Sequence, residues 1–530
     1  MTPASNEHHV VAVAGGGKTT FLVAEIKKAL ALSSQDRILA VTYTRNMAKE
    51  LKKKIGVPLK YCGTLHHILY QLLAEKYPNK YKAIVAEAEN ADIVNDIGLR
   101  LKVAANDKLL AKVLTAEEYR LSYPERLFKK QYLKYCETNR IISYPLIELY
   151  GSKLIGEGQW EYLFVDEYQD MSQDNILVLR GITAEHKLFV YDPMQSIYGF
   201  RGARPDLLPA SDEILGRSYR CPSAIADLAN HLLTFTKDAY PVNMEPRQEG
   251  GELIIVRETD SKDHYSQLRE QVELLLQKYS PGEIAILGRT NVMLEEAQAK
   301  LEGLPHQKIS AKVLSSQEML AFKYLLRIMV MPDDYNVIRF AKAAKLITKQ
   351  EAALSDYIDP LTGTATVKGS SAAKSVREMG LYQNIMIAMK NRPMPEAARM
   401  MMELIPGRDW IIDECVHIIE WLSLYYGKEY EKLENALSEM DTDALVGTED
   451  RIKLMTVHTA KGLEYKAVVI VNVYNGKFPH YNADPMEELR LFYVAVTRAK
   501  ETLVICQAGK HTWLDNYSQP LIDLKEEPGE

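Results

Sequence analysis

Residues 11–20 read VAVAGGGKTT: an apolar run, three glycines, a lysine and two threonines. The run that leads into it, HVVAVA, suits a short buried strand, and TTFLVAEIKKALAL behind it carries apolar residues at helical spacing. Between a strand and a helix, such a loop lets backbone N–H groups converge on phosphate, with the positive end of the helix aimed at the anion. Ala14, Gly15, Gly16 and Gly17 are then the amide donors, Lys18 reaches the β- and γ-phosphates, and Thr19 offers a hydroxyl to Mg²⁺ with Thr20 beside it. The pattern G-x-x-x-x-G-K-[ST] is broken at its first position, Ala12.

Outward from the loop the strand–helix alternation repeats. RILAVTYT reads as a strand and NMAKELKKKI as a helix, giving a βαβα order that specifies a parallel sheet faced by helices. Residues 71–148 are expected to be mostly helical, and EYLFVDE and HKLFVYD bring the strands back. A second α/β stretch opens with GGELIIVRE and GEIAILGRTN. It is interrupted by a helical 341–445, and returns with RIKLMTVHTAKGLEYKAVVIVNV and ETLVICQ. The expected fold is α/β, with two parallel-sheet domains. Residues 1–70 and 149–213 make the first, with insertion 71–148; residues 214–340 and 446–530 make the second, with insertion 341–445.

Bulk properties narrow the function. A 530-residue chain suggests ~3–4 domains. No apolar run approaches the ~18 residues of a membrane helix, and the first residues, MTPASNEHHV, do not have the form of a secretory signal. The five cysteines are scattered singly, which points to reduced thiols and a cytoplasmic setting rather than zinc or disulfides. A net charge of −6 argues against a globally basic nucleic-acid binder, so any such contact is a local groove.

In YLFVDEYQD an apolar strand ends in two acids. Asp166 can hold Mg²⁺ through water, and Glu167 can orient and deprotonate an attacking water. DEYQD resembles motif II of the superfamily 1A helicases of the UvrD/Rep/PcrA type. Further segments resemble that family's motifs in its order: VTYTRNMAKEL, GTLHHILY, YDPMQSIYGFRGA, GRSYRCP, LMTVHTAKGLEY and EELRLFYVAVTRAK. The likeness runs from about residue 11 to 506.

The resemblance implies two RecA-like domains with ATP and Mg²⁺ in the cleft between them. It makes Arg220 and Arg498 arginine fingers, Gln195 a γ-phosphate sensor, Tyr219 the ring that stacks on adenine, and Glu464 the acid near the sugar. On the nucleic-acid side it implies roles for Tyr43, Thr64, His66, Tyr198, Phe200, Arg201 and His458. The interleaving of rings and guanidinium in QSIYGFRGA suits single-strand tracking in its own right.

Departures from the family pattern are Tyr191 for a usual Gly, Ser218 for a usual Asn and Leu489 for a frequent Arg. Residues 1–17 also lack the family's adenine-reading Gln, which leaves base choice open. The expected activity is an ATP-dependent DNA helicase that moves 3′ to 5′ on single-stranded DNA and acts at single-strand/duplex junctions in replication or repair. Its location is cytoplasmic and nucleoid-associated. The alternatives are an RNA helicase, a protein-clearing translocase, and the NTPase switch of a nuclease or defence complex.

Overall fold

The apolar runs fold into strands in chain order: β1 (Glu7–Ala12), β2 (Ile38–Thr42), β3 (Tyr61–Thr64), β4 (Ala83–Val85), β5 (Ile141–Ser143), β6 (Trp160–Val165), β7 (Ala184–Tyr191), β8 (Glu213–Leu215), β9 (Glu252–Arg257), β10 (Ile284–Gly288), β11 (His306–Lys308), β12 (Ile452–Thr456), β13 (Tyr465–Val473) and β14 (Ala499–Gln507). The structure, a computed structural model, describes residues 6–309 except 79, 82, 86, 139, 159, 237–241 and 258–263, and also 324, 339–341, 343, 450–515 and 517.

Two six-stranded sheets result, in the orders β3-β2-β6-β7-β1-β8 and β11-β12-β10-β13-β14-β9. Every pairing in them is parallel. The fold is therefore α/β with two RecA-like sheets, as the strand–helix alternation predicts. Parallel strands are covered on both faces, so their sequences are apolar runs rather than alternating ones. Every residue of β2 and β10 is buried, and so is β13 from Ala467 to Val473.

Helices supply the cover. The helix Lys18–Leu32 lays Leu22, Val23 and Ile26 on Val10, Ala40, Phe164 and Val190 of the first sheet. In the second sheet, Ile286, Leu454, Val469 and Val504 meet Leu268 and Val272 of Leu268–Leu276, and Leu294 and Ala297 of Asn291–Lys300.

By its internal contacts the chain divides into two compact units, 1–68 with 156–311 and 441–530, and 69–155 with 312–440. Both six-stranded sheets lie in the first unit. The second unit holds the helices Glu87–Leu101, Asp107–Thr115 and Tyr123–Thr138. It also holds a small parallel pair, β4 with β5, that the helical reading of 71–148 omits. Three-residue strands are too short to show a period. There the buried Tyr132 hydroxyl meets Asn90 Oδ1 and Ser143 Oγ, each at 2.6 Å. The expected insertion 341–445 lies outside the described residues save Ala341 and Ala343. No helix among the described residues is long and apolar enough to cross a membrane.

Ile286 is fully buried in central strand β10. Ile286→Ala should cost about 2–5 kcal/mol through the methylenes lost and the void left, read as a lowered denaturation midpoint with an unchanged slope.

Candidate functional site

The order of the first sheet puts β6, β7 and β1 side by side, so their carboxyl ends open into one crevice, where parallel sheets of this kind bind ligands. Behind β1, Gly15 and Gly17 take positive φ (72° and 79°), a conformation that favours glycine. A Cβ on Gly15 would stand 2.6 Å from Arg220 Cβ and 2.8 Å from Ser218 Oγ. Lys18 opens the helix and is buried, its Nζ 3.9 Å from Asp192 Oδ2 at the end of β7. The Thr19 hydroxyl donates to Asp166 Oδ2 at 3.1 Å. Thr20 lies in the first turn of the same helix.

Asp166 and Glu167 follow β6. Burial, and then the neighbouring Glu167 charge, push the Asp166 carboxyl up to about 7. Glu167 shares that burial, but Lys18, Lys461, the Gln169 amide and Arg498 outweigh it and hold its carboxyl below the usual range. It is thus ionised at neutral pH, the state a general base needs. Its backbone is left-handed at φ 53°, and its carboxylate accepts a bond from the Gln169 side chain. The opposite end of Gln169 accepts from the Asp192 amide at 3.0 Å.

No group of three or more His, Cys, Asp or Glu suited to a metal occurs among the described residues. One carboxylate and one hydroxyl, Asp166 and Thr19, nevertheless fit Mg²⁺, which takes few protein ligands and fills the rest with water and substrate phosphates.

The second sheet faces this site through one register. Tyr465 of β13 pairs with Ala499 of β14, which sets the preceding residues Glu464 and Arg498 side by side. Arg498 is 1% exposed. Its guanidinium donates to Val494 O at 2.9 Å, Leu463 O at 3.2 Å, and Gln195 Oε1 and Thr497 Oγ1 at 3.3 Å each. Burial, and then the nearby Arg220 charge, lower it to about 9, so it stays protonated at neutral pH. Gln195 in turn donates to Asp192 Oδ2 at 2.6 Å. Arg220 donates to Glu464 Oε2 at 2.8 Å and to Thr497 O at 3.0 Å. Tyr219 is 66% exposed, its ring 3.6 Å from where a Gly17 Cβ would stand.

A ring cluster runs beside these groups. Tyr43 stacks on Tyr198 (centroids 5.2 Å apart, planes at 28°). Phe200 meets Tyr198 and His458 edge-on, at 6.1 and 5.6 Å. Arg201 lies over Tyr198 and Phe200 at 5.4 and 5.6 Å. Phe200 is 66% exposed, an open face. His458 is lowered to about 4 by burial and by Arg289, Lys461 and Arg201, so it is neutral at physiological pH. Thr64 Oγ1 accepts from the His67 amide at 3.3 Å, and half-buried His66 is the second residue of the helix Leu65–Lys76 after β3.

Several residues of the site escape motif reading. The Lys461 ammonium pairs with buried Asp170, donates to the Gln195 carbonyl, and lies 4.8 Å from the Tyr198 ring centre. Asp192 gathers Lys18 and Gln195. Lys461 and Asp170 stand inside the motif segments TAKGLE and DEYQD, but nothing along either stretch marks the pair that they form. The departures also have local accounts. Tyr191 is buried, and its hydroxyl donates to Pro209 O at 2.9 Å. Leu489 is buried in the helix Pro485–Val496, and Ser218 bonds the glycine loop.

Fold and site together define a P-loop NTPase with two RecA-like lobes. Residues 2–201 match the model of an AAA domain, and residues 413–510 that of the UvrD-like helicase C-terminal domain. The chain is 24% identical over 595 residues to a probable DNA helicase II homolog of Mycoplasma capricolum. It is 24% identical over 596 residues to the ATP-dependent DNA helicase PcrA of Staphylococcus epidermidis, and 25% over 601 to that of Staphylococcus aureus. Each match covers 94% of this chain and 81% of the relative. The chain belongs to the UvrD/PcrA-like superfamily 1 helicases.

Gly15→Ala should weaken binding of a fluorescent ATP analogue by about tenfold or more, through positive φ and the clash with Arg220. Titration with the analogue reads this directly. Arg201→Ala should flatten the salt dependence of single-strand affinity by about 0.7 in log–log slope, the value for one phosphate contact, whereas neutral His458→Asn should leave the slope unchanged.

Proposed function

We propose that this chain is an ATP-dependent DNA helicase that tracks 3′ to 5′ along single-stranded DNA and separates duplex ahead of it. One observation supports the coupling of nucleotide to strand: in the segment 193–201, Gln195 bonds Arg498 and, three residues on, Tyr198 stacks on Tyr43; the 3′-to-5′ direction is what the likeness to UvrD/PcrA-type helicases implies. Any change in what Gln195 touches is transmitted over a very short stretch to a stacking surface.

The steps follow from the residues. The loop amides of 14–17 and Lys18 hold the phosphates, and Tyr219 offers its open face to the base. Thr19 and Asp166 would hold Mg²⁺, which would supply neutralising charge to the phosphates. Glu167, ionised and held by Gln169, orients a water against the γ-phosphorus and takes its proton. Arg220 and Arg498 supply guanidinium charge where negative charge builds up. In the structure both are bonded to protein acceptors, Glu464 and Gln195. A γ-phosphate competes for those guanidiniums, and this exchange gives ATP different affinities for the open and closed cleft. Tyr43, Tyr198, Phe200 and Arg201 grip bases and backbone without reading sequence. Thr64, His66 and His458 complete the nucleic-acid surface, and single-strand/duplex junctions in the cytoplasm are the natural substrate.

Strand displacement on duplexes with 3′ or 5′ tails, run with ATP and with GTP, tests the reading. Unwinding of the 3′-tailed duplex alone is expected. Intact DNA-stimulated ATPase with no unwinding of either substrate would leave a translocase or a switch subunit instead. Stronger stimulation by RNA than by DNA would indicate an RNA helicase. Glu167→Gln should lower kcat by at least about a hundredfold while still binding nucleotide, and Lys18→Ala should lose both, as measured by ATPase rate and analogue titration.

A further inference from the structure

The loop Gly216–Pro222 carries both Tyr219 and Arg220, yet it follows β8, an edge strand of only three residues. Together with Leu215 at the end of β8, it is held on three consecutive residues of the glycine loop. Val13 N–H donates to Leu215 O at 3.1 Å, the Ser218 hydroxyl donates to Ala14 O at 2.8 Å, and Tyr219 N–H donates to Gly15 O at 2.8 Å. Two of these bonds are backbone to backbone and survive most substitutions. The middle one depends on a side chain.

Ser218 is fully buried, and its hydroxyl is saturated. Besides donating to Ala14 O, it accepts from Arg220 N–H at 3.2 Å and from Cys221 N–H at 3.1 Å. Its own amide donates to Glu245 O at 2.8 Å, which fixes the residue from the other side. One oxygen therefore sets the backbone at Arg220 relative to a phosphate-loop carbonyl. From there the guanidinium reaches Glu464 and the Thr497 carbonyl on the second lobe. The space is tight, because a Cβ on Gly15 would meet Ser218 Oγ at 2.8 Å and Arg220 Cβ at 2.6 Å. Motion of the glycine loop on phosphate binding thus has little slack before it moves Arg220.

We infer that Ser218 is a positioning residue for hydrolysis: its hydroxyl registers the Arg220 loop against the phosphate loop, so that filling the loop aims the guanidinium. The inference rests on the role of Arg220 proposed above. Without the hydroxyl, two buried N–H groups and the Ala14 carbonyl lose their partner, and the loop is free to shift by fractions of an ångström. That is enough to spoil a guanidinium contact that matters only as charge develops.

The test is a double-mutant cycle on DNA-stimulated ATPase with Ser218→Ala, Arg220→Ala and the pair, each checked for its melting temperature. Ser218→Ala should lower kcat about tenfold or more, with KM for ATP changed much less. It should cost little further in the Arg220→Ala background, because its effect runs through that arginine. Ser218→Thr, which keeps the hydroxyl, should restore most of the rate. If Ser218→Ala does not fold, Ser218→Cys replaces it as a near-isostere with a weaker donor and acceptor. A kcat unchanged by losing the hydroxyl, or losses that multiply in the double variant, would overturn the inference. An Arg220→Ala chain that keeps full kcat would instead overturn the finger assignment.

Discussion

A guanidinium buried to 1% exposure must have its charge and its donors met by the protein, and Arg498 meets them from both lobes at once. Its bonds to Val494, Leu463 and Thr497 belong to the second lobe, and its bond to Gln195 belongs to the first. Leaving such a charge unpartnered costs several kcal/mol, so the interface is stable only in arrangements that give the arginine an acceptor. In the structure the acceptor is Gln195. A γ-phosphate is a stronger one, since bonds between two charged groups exceed those to a neutral amide. On the function proposed above, the two lobes have two satisfied states, and nucleotide selects between them.

The rest of the site is arranged around that choice. Asp192 ties Lys18 to Gln195, so the glycine loop and Gln195 share one carboxylate. Lys461 joins Asp170, the Gln195 carbonyl and the Tyr198 ring, which extends the network from the acids after β6 to the stacked aromatics. Asp192, Gln195, Asp170 and Tyr198 lie in turns behind strand ends, while Lys18 opens the helix after the glycine loop and Lys461 follows the short helix Val457–Ala460. Rigid sheets thus hold the polar cluster from behind.

Much of this architecture is legible in the sequence because parallel strands buried on both faces write themselves as apolar runs. ILAVT, YLFV, KLFVY and AVVIVNV are unmistakable. The three-residue strands β4, β5, β8 and β11 are not, since they are shorter than any period. The glycine loop and the paired acids are local signals and could be read directly. The links that complete the site join residues hundreds of positions apart: Lys461 to Asp170, Arg498 to Gln195, and Ser218 to Ala14. No pattern along the chain encodes such pairings; they exist only once the strand order is fixed. Ser218 shows this best, because as a motif letter it is a departure and in space it is a fully bonded hinge pin.

The central claim is that nucleotide closes the cleft by capturing Arg220 and Arg498, the two arginines that bridge the lobes. Spin labels on cysteines placed at Leu32 and Leu274, exposed positions on helices of the two lobes (78% and 43%), report that closure as a distance. The described native cysteines are buried, and Cys415 is replaced by serine. With single-stranded DNA present, a non-hydrolysable ATP analogue should shift the distance distribution to a single new peak. The shift should be lost in Arg220→Ala/Arg498→Ala at saturating analogue. The same shift in that variant, or none in the native sequence, would contradict the account.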